Sequence, residues 1–467
     1  MRVRVSLVLL KEREMKHYNF TEQEWNHCIK VLKVLKDDPY NNPDNQLLSG
    51  LITKVYKTSK KIKNKEVAYS LKAQDISLLK DSVIAKNALA NTTLYDDIKT
   101  EEETIYKQLN KSRNCYSCNE LYDKVHFYYA RMCPSCAEAN YIRRFETFDL
   151  TGRNAIVTGG RVKVGYATAL KLLRSNANLI VTTRFPASAL DNFMKEKDYS
   201  IWKDNLYIYG LDLRNLKAVE KFISFYKSKY DSLDILVNNA AQTIKYDDNY
   251  YLPIVTKEEQ LAIEYNTNKQ LKLNSISVLQ NSKLLENTTH NSDFEINRFG
   301  QPIDNRTKTS WNSKLEEISM CELLEVNLIN QISPYFMIKE FTPLLEKSRF
   351  NKRFIINVTS SEGQFSYTNK TIFHPHTNMT KAALNMLTKT SGKAYENMSV
   401  YMYAVDVGWI STGAKEDLRK KQFEEGYIPP LDSVDGAARI MHPIFEALKG
   451  NTILVGTLLK NYAIEDW

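Results

Sequence analysis

Residues 154–165 read NAIVTGGRVKVG, an apolar run that breaks at Thr158 into Gly159 and Gly160 and, past Arg161 and Lys163, reaches Val164 and Gly165. The next residues, YATALKLLRS (166–175), have helical spacing. A buried strand that ends in glycines and opens a helix is how an α/β protein holds a pyrophosphate. Glycine lets the backbone come close to the phosphates, and the helix supplies unpaired N–H groups at the positive end of its dipole. Lys163 stands where a further glycine would be expected. Alone the turn is weak evidence, because ordinary strand–helix junctions also use glycine.

The support lies downstream. NLIVTTR (178–184), LYIYGLDL (206–213), LDILVNNAA (233–241), KRFIINVTSS (352–361) and VYMYAVDVG (400–408) are further apolar runs, each after a helix-like stretch. Strands alternating with helices imply βαβ units and a parallel sheet with ligands at its carboxyl ends. The expected fold class is therefore α/β, a Rossmann doubly wound parallel sheet, preceded by a helical segment and a small zinc-binding module.

The zinc expectation comes from the cysteines. Four of the six form C-x2-C pairs, Cys115 with Cys118 and Cys133 with Cys136, fourteen residues apart. Two such knuckles suit tetrahedral Zn2+, and four thiolates leave no open position for a reacting water, so the metal's role is structural. His126 is an additional candidate donor. The helix-like AEANYIRRFE runs into the first strand through FDLTG, too short for a flexible tether, so the metal is expected to pin the module to the sheet domain. Cys28 and Cys321 lie in helix-like apolar patterns and are expected as buried, inert thiols.

Three regions follow: residues 1–110, helical; 111–147, the zinc module; and 148–467, the sheet domain with an insertion at about 245–319. FTEQEWNHCIKVLKVL (20–35) starts with a capping box, Thr21 with Glu24, and residues 47–65 form a second helix ending in a lysine cluster. Within the insertion, 255–295 is polar enough for a mobile loop or lid, and 298–311, with Trp311, is more ordered. The insertion is expected beside the ligand cleft at the carboxyl ends of the strands, where it would shape substrate access and Arg298 or Arg306 could meet an acidic substrate or form a surface ion pair.

The chain resembles the short-chain dehydrogenase/reductase superfamily over residues 148–460. The resemblance rests on TGGRVKVG (158–165), Asp212–Leu213, NNAA (238–241), Asn327, Ser360–Ser361, Thr377 to Lys381 and VDVGWIST (405–412). It looks closest to an atypical branch with TGGRVKxG and HPHTNM strings. It implies a pyrophosphate loop bounded by Gly159 and Gly165, and an adenine pocket at Asp212 and Leu213. It puts Asn238, Asn239 and Ala240 beside the nicotinamide, and Gly408, Trp409, Ile410 and Thr412 over the carboxamide. Asn327 would order a water next to Lys381, which holds the nicotinamide ribose, while Ser360 or Ser361 binds the substrate carbonyl. It also implies a homo-oligomer through the helices around Asn327 and Thr377, a surface that the insertion and the N-terminal module could instead block.

The family's tyrosine, four residues before the lysine, is here Thr377. A phenol titrates near ~10 and serves as an acid, whereas an aliphatic hydroxyl can only orient or polarise. His374 and His376, Tyr367, or a desolvated Lys381 are the candidate proton donors in its place. The histidines could equally cap a turn at Pro375. A second departure, Val407 in place of the usual proline, affects loop stiffness. Where NAD(H) would call for an acidic residue after the second strand, the chain has Thr182, Thr183 and Arg184. With Arg161 and Lys163 in the loop, these favour NADP(H), whose 2′-phosphate guanidinium groups match.

The reading is hydride transfer between NADP(H) and an unidentified carbonyl or alcohol. The competing reading is a cofactor-binding sensor, its catalytic tyrosine lost, whose N-terminal module docks a protein partner. A net charge of +9 over 467 residues is modest for a nucleic-acid binder. No apolar run approaches the ~20 residues of a membrane span, so a cytoplasmic protein is expected. Met15 is an alternative start.

Overall fold

The structure, a computed structural model, describes residues 19–89, 106–273, 297, 301–304, 306–368, 370–410, 416–451 and 453–467. Thr412 and Arg298 lie outside the described residues, as does the 274–296 part of the expected loop. Contacts divide the chain into two units, residues 1–73 and 74–467.

In the first unit α1 (Glu22–Leu35) begins with the expected capping box. Thr21 Oγ1 accepts the Glu24 N–H at 3.2 Å, and the Glu24 carboxylate accepts the Thr21 N–H at 2.7 Å. Helix α2 (Asn45–Lys80) runs on past residue 65, so the lysine cluster is mid-helix rather than at an end. Strong helix formers continue through KEVAYSLKAQD without a proline, and nothing in the sequence stops the helix at Lys65.

The second unit holds α3 (Val83–Leu89) and an antiparallel hairpin of β1 (Lys107–Asn114) and β2 (Leu121–Val125), then α4 (Pro134–Phe145). There follow β3 (Asn154–Thr158), α5 (Lys163–Arg174), β4 (Asn178–Thr183), α6 (Pro186–Met194), α7 (Tyr199–Trp202), β5 (Leu206–Gly210), α8 (Leu216–Lys229) and β6 (Ile235–Asn238). The insertion contributes α9 (Asp248–Glu264) and β7 (Leu271–Lys272). The chain continues as α10 (Met320–Asn327), a π-helical turn over 328–332, α11 (Ser333–Glu346), β8 (Arg353–Thr359), α12 (Pro375–Glu396) and β9 (Val400–Asp406). It ends with α13 (Glu416–Glu424), α14 (Ser433–Leu448), β10 (Leu458–Lys460) and β11 (Ala463–Glu465).

Nine strands form one sheet in the order β11-β10-β9-β8-β6-β3-β4-β5-β7, parallel throughout except for β11. The six apolar runs of the sequence are its centre. Strand β3 pairs with β4 on one side and β6 on the other, so the order reverses beside the glycine loop, where such sheets open a crevice. One face is buried with α5, α6 and α14 around Val157, Val181, Phe193, Ile356 and Phe445. On the other, Phe222, Tyr226 and Phe341 of α8 and α11 pack on Ile156, Tyr209, Leu236 and Ile355.

The insertion differs from the expected mobile loop in that residues 255–264 are helical. Glu258 of α9 is buried and accepts the N–H groups of Ala187 and Ser188 at 2.6 and 2.8 Å, capping α6 from outside. Phe185, Ile254 and Val255 close over it as a small apolar cluster. Arg306 is turned inward, with its guanidinium on both Asp304 oxygens at 2.9 Å and on the Lys245 carbonyl at 3.2 Å; it orders the insertion itself. Cys28 and Cys321 are exposed, against expectation, each on the outer side of its helix, where Cys321 meets only the Lys245 ammonium at 3.1 Å and its own helix's Glu325 among the described residues. Among the described residues, no helix is long and apolar enough to cross a membrane.

Candidate functional site

The glycine loop packs too tightly for side chains. A Cβ on Gly165 would fall 2.2 Å from the Gly159 carbonyl oxygen and 2.4 Å from Asn239 Nδ2, and one on Gly160 would fall 2.6 Å from Val181. Thr158 ties this loop to the next strand end. Its Oγ1 accepts the N–H groups of Asn239 and Ala240, both at 3.0 Å, and Asn239 Nδ2 donates back to its carbonyl at 2.9 Å. Gly159 has φ 71° and Lys163 φ 57°, so the lysine adopts the left-handed backbone a glycine would take. Val162 at the start of α5 offers no side-chain cap, which leaves that helix terminus to a ligand's oxygens.

At the end of β4 two cations meet. Arg161 is only 7% exposed, and burial together with the charge of Arg184 pulls it down to about 10. Neither guanidinium pairs with a carboxylate among the described residues. They flank the Phe185 ring instead, at 5.3 and 5.5 Å from its centroid, and Arg184 also lies over Tyr251 of α9 at 4.8 Å. Two adjacent guanidiniums without a direct ion pair among the described residues, Glu258 and Asp212 acting on them only at longer range, are an arrangement that a multiply charged anion would relieve. Here the insertion's α9 lies at the β4 end of the cleft. The part near Trp311 reaches the start of α12 through His374. Asp212 follows β5; against its burial, Arg214 holds it below the usual carboxylate range through contacts at 2.6 and 3.1 Å. Leu213 beside it is buried.

Helix α12 carries Thr377 and Lys381 four residues apart on one face. Lys381 is buried, and desolvation drives it down to about 8 against the pull of Glu362 and Asp406; its Nζ donates to the Val358 carbonyl at 2.8 Å. Thr377 is 1% exposed, and its Oγ1 has no hydrogen-bond partner. Of the other candidate donors, His374 and Tyr367 have contacts of their own, whereas neither ring nitrogen of the buried His376 makes a well-aligned hydrogen bond among the described residues. His374 stacks on Trp311 at 4.3 Å and meets its carbonyl at 2.8 Å through Nδ1, which makes it part of the turn before α12. His376 has Nε2 3.3 Å from Glu322 of α10. Tyr367 is 40% exposed with Lys460 over its ring.

Ser360 and Ser361 end β8 in a half-buried 3-10 turn, which fits against Lys381 because a Cβ on Gly363 would fall 2.7 Å from that residue's carbonyl carbon. Asn238 is buried in the sheet and donates to Asn357 at 2.9 Å. Asn327 donates to the Leu323 carbonyl at 2.7 Å, immediately before the π turn, a helical irregularity common at functional sites. Sequence reasoning missed Asn330. Buried in that turn, it bridges both backbone groups of Gln242 to Thr380 of α12, at 2.8, 3.1 and 3.0 Å. It missed Asp406 too, whose carboxyl burial pushes up to about 6 and which accepts the Gly408 N–H at 2.8 Å. The readable signals were an asparagine inside an apolar helix and an aspartate closing a buried strand.

The four thiols of Cys115, Cys118, Cys133 and Cys136 lie within 4.8 Å of one another, and Cys118 Sγ and Cys133 Sγ are 3.7 Å apart. Zn–S bonds of about 2.3 Å at tetrahedral angles separate sulfurs by ~3.8 Å, so the cluster fits such an ion. His126 is outside it, with Nδ1 accepting the Tyr128 N–H at 3.0 Å. The module is docked on α14 through Arg144, 2.7 Å from Asp432 and 3.0 Å from Asp435, and through Arg439 donating to Asn140 at 2.9 Å.

Comparison with known proteins agrees with this architecture. Residues 153–285 and 303–422 match the short chain dehydrogenase model, the break falling inside the insertion. The uncharacterized protein R665 of Acanthamoeba polyphaga mimivirus is 30% identical over 364 residues, covering 74% of each chain. The (+)-neomenthol dehydrogenase of Capsicum annuum is 27% identical over 119 residues, 23% of this chain and 38% of that enzyme. Among solved structures, the NADPH-bound carbonyl reductase from chicken fatty liver covers 68% of this chain and 100% of its own, with 19% identity and a TM-score of 0.42. The sheet, the glycine loop at its switch point and the match over more than half of the sequence establish that the chain belongs to the short chain dehydrogenase family.

Proposed function

We propose that the protein is an NADP(H)-dependent oxidoreductase acting on a carbonyl or the corresponding alcohol, with a structural zinc ion in its cysteine module. The observation that carries the cofactor reading is the buried Arg161 beside Arg184, neither with a carboxylate partner among the described residues. A 2′-phosphate would supply the direct ion-pair partner that both lack, with the loop from Gly159 to Gly165 and the uncapped α5 terminus taking the pyrophosphate. Asp212, Leu213, Asn238 to Ala240 and Gly408 to Ile410 would line the rest.

Bound nicotinamide would supply or accept the hydride. A hydroxyl of Ser360 or Ser361 donates to the substrate oxygen, and the unpartnered Thr377 Oγ1 orients it. Lys381 Nζ, protonated at neutral pH yet brought to about 8 by burial, is the group that holds the transferable proton.

Titration with NADPH and NADH, followed by cofactor fluorescence, tests the binding reading. Wild type is expected to prefer NADPH, and Arg161→Ala with Arg184→Ala to lose about 10- to 100-fold of that preference. Equal affinity for both cofactors in wild type sinks it. A panel of carbonyls tests the chemistry, with reduction expected to fall as pH rises through about 8 and to vanish in Lys381→Ala. The sensor reading is favoured by Thr377 alone, and it predicts NADPH binding without turnover on any substrate.

A further inference from the structure

The segment after β9 is gripped from outside the nucleotide-binding sheet. Tyr116 stands inside the first cysteine knuckle, between Cys115 and Cys118. Its backbone N–H donates to the Arg131 carbonyl at 2.9 Å, joining the two arms of the module. Its phenolic oxygen accepts the Trp409 backbone N–H at 2.7 Å. It also lies so near Gly408 that a Cβ there would fall 2.9 Å from it.

Arg131 takes the Trp409 side chain, its guanidinium 4.8 Å from the indole centroid and 5.6 Å from that of Tyr427. Ile410 then packs on the module's apolar core. The absence of a side chain on Gly436 makes room for that contact, since a Cβ there would fall 2.7 Å from Ile410 Cδ1 and 3.0 Å from Val164 of the glycine loop. A continuous set of contacts therefore runs from the thiol cluster through Tyr116 and Trp409 to Ile410, next to the pyrophosphate loop.

We propose that Tyr116 and Arg131 are positioning residues for the nicotinamide half of the cofactor, holding Gly408–Ile410 in place from the cysteine module. The module is on this account one wall of the cofactor site. The inference rests on the NADP(H) reading above and adds to it that the nicotinamide end, not the adenosine end, depends on the module. A backbone N–H that loses its acceptor in a buried setting is costly, and a segment so released no longer presents a fixed surface to a ligand.

The test compares two ligands on Tyr116→Phe, which keeps the ring and removes the acceptor. NADPH reports the whole cofactor, and 2′,5′-ADP, which lacks nicotinamide, reports the adenosine end. NADPH binding is expected to weaken about five- to fiftyfold, with 2′,5′-ADP held within twofold and metal content unchanged. Arg131→Leu, which leaves the thiols and Tyr116 intact, is expected to show the same split. Unchanged NADPH affinity in both variants overturns the proposal. So does an equal loss of both ligands, which marks a general folding defect. If wild type binds neither ligand, the cofactor reading itself has failed, a result distinct from either of these.

Discussion

Lys163 is the residue whose oddity in the sequence has a structural explanation. An L-residue held at φ 57° costs about 1–2 kcal/mol that glycine would not pay. Lys163→Gly is therefore expected to keep or raise stability by up to about 1 kcal/mol in denaturant titration while weakening NADPH binding. Lys381 makes the opposite kind of trade. Its protonated form is disfavoured by burial, so its folded pKa of about 8 lies below the usual lysine value. Between about 8 and that value the unfolded chain binds the extra proton, so this group's contribution to stability rises with pH across that window; below 8 it is a net cost. At pH 7, Lys381→Met is thus expected to raise the unfolding free energy by a few kcal/mol, at about 1.4 kcal/mol per pH unit, and to remove turnover. A variant that lost stability would show that the ammonium is held for structure. Thr377 and Lys381 were legible as a pair through the family resemblance, which places a tyrosine four residues before a lysine, a spacing that keeps both on one helix face. Asn330 was readable only as an asparagine inside an apolar helix; the elements it bridges were not, because its partners lie 88 and 50 residues away in sequence.

At the scale of elements, a buried carboxylate helps to fasten the insertion. Glu258 reaches from α9 to the first amides of α6, a terminus that has no side-chain cap of its own. Glu258→Ala is expected to cost about 1–3 kcal/mol and to speed amide hydrogen exchange at residues 187–190. Glu258→Gln, which keeps an acceptor, should fall between it and wild type. The helix was hidden in the sequence because its apolar residues run together at 250–255 around Pro253 instead of repeating at helical spacing. The six central strands were plain because strands buried on both faces read as unbroken apolar runs closed by glycine or a polar residue. Strands of two or three residues, such as β7 and β11, carry no periodicity to read. The length of α2 was equally hidden, since a helix sustained by intrinsic propensity shows no apolar stripe.

For the molecule as a whole, the cysteine module is the part whose state can be changed without mutation. Purified protein is expected to carry one zinc equivalent per chain, measured by atomic emission. Its removal by a strong chelator should lower the thermal midpoint and weaken NADPH binding together, as the thiols and the Tyr116–Trp409 bond belong to one body. The zinc spacing was legible because C-x2-C pairs state their geometry locally. What the module touches was not, because the partner of Tyr116 lies nearly three hundred residues away in sequence.

The margins of the sheet have a further consequence. The row of strands ends in β7, two residues long, on one side and in β11, three residues long and reversed, on the other. Lys272 of β7 lies over Phe225 at 4.3 Å, so the last rung at that side bears a charge. An unpaired strand edge is a template for another chain, and short, charged outer strands are how proteins deny it. Among the described residues, the inserted segment is what covers the outer edge of β5. Shortening it to resemble a smaller relative would bare β5 and invite edge-to-edge aggregation, even in a protein whose chemistry was untouched.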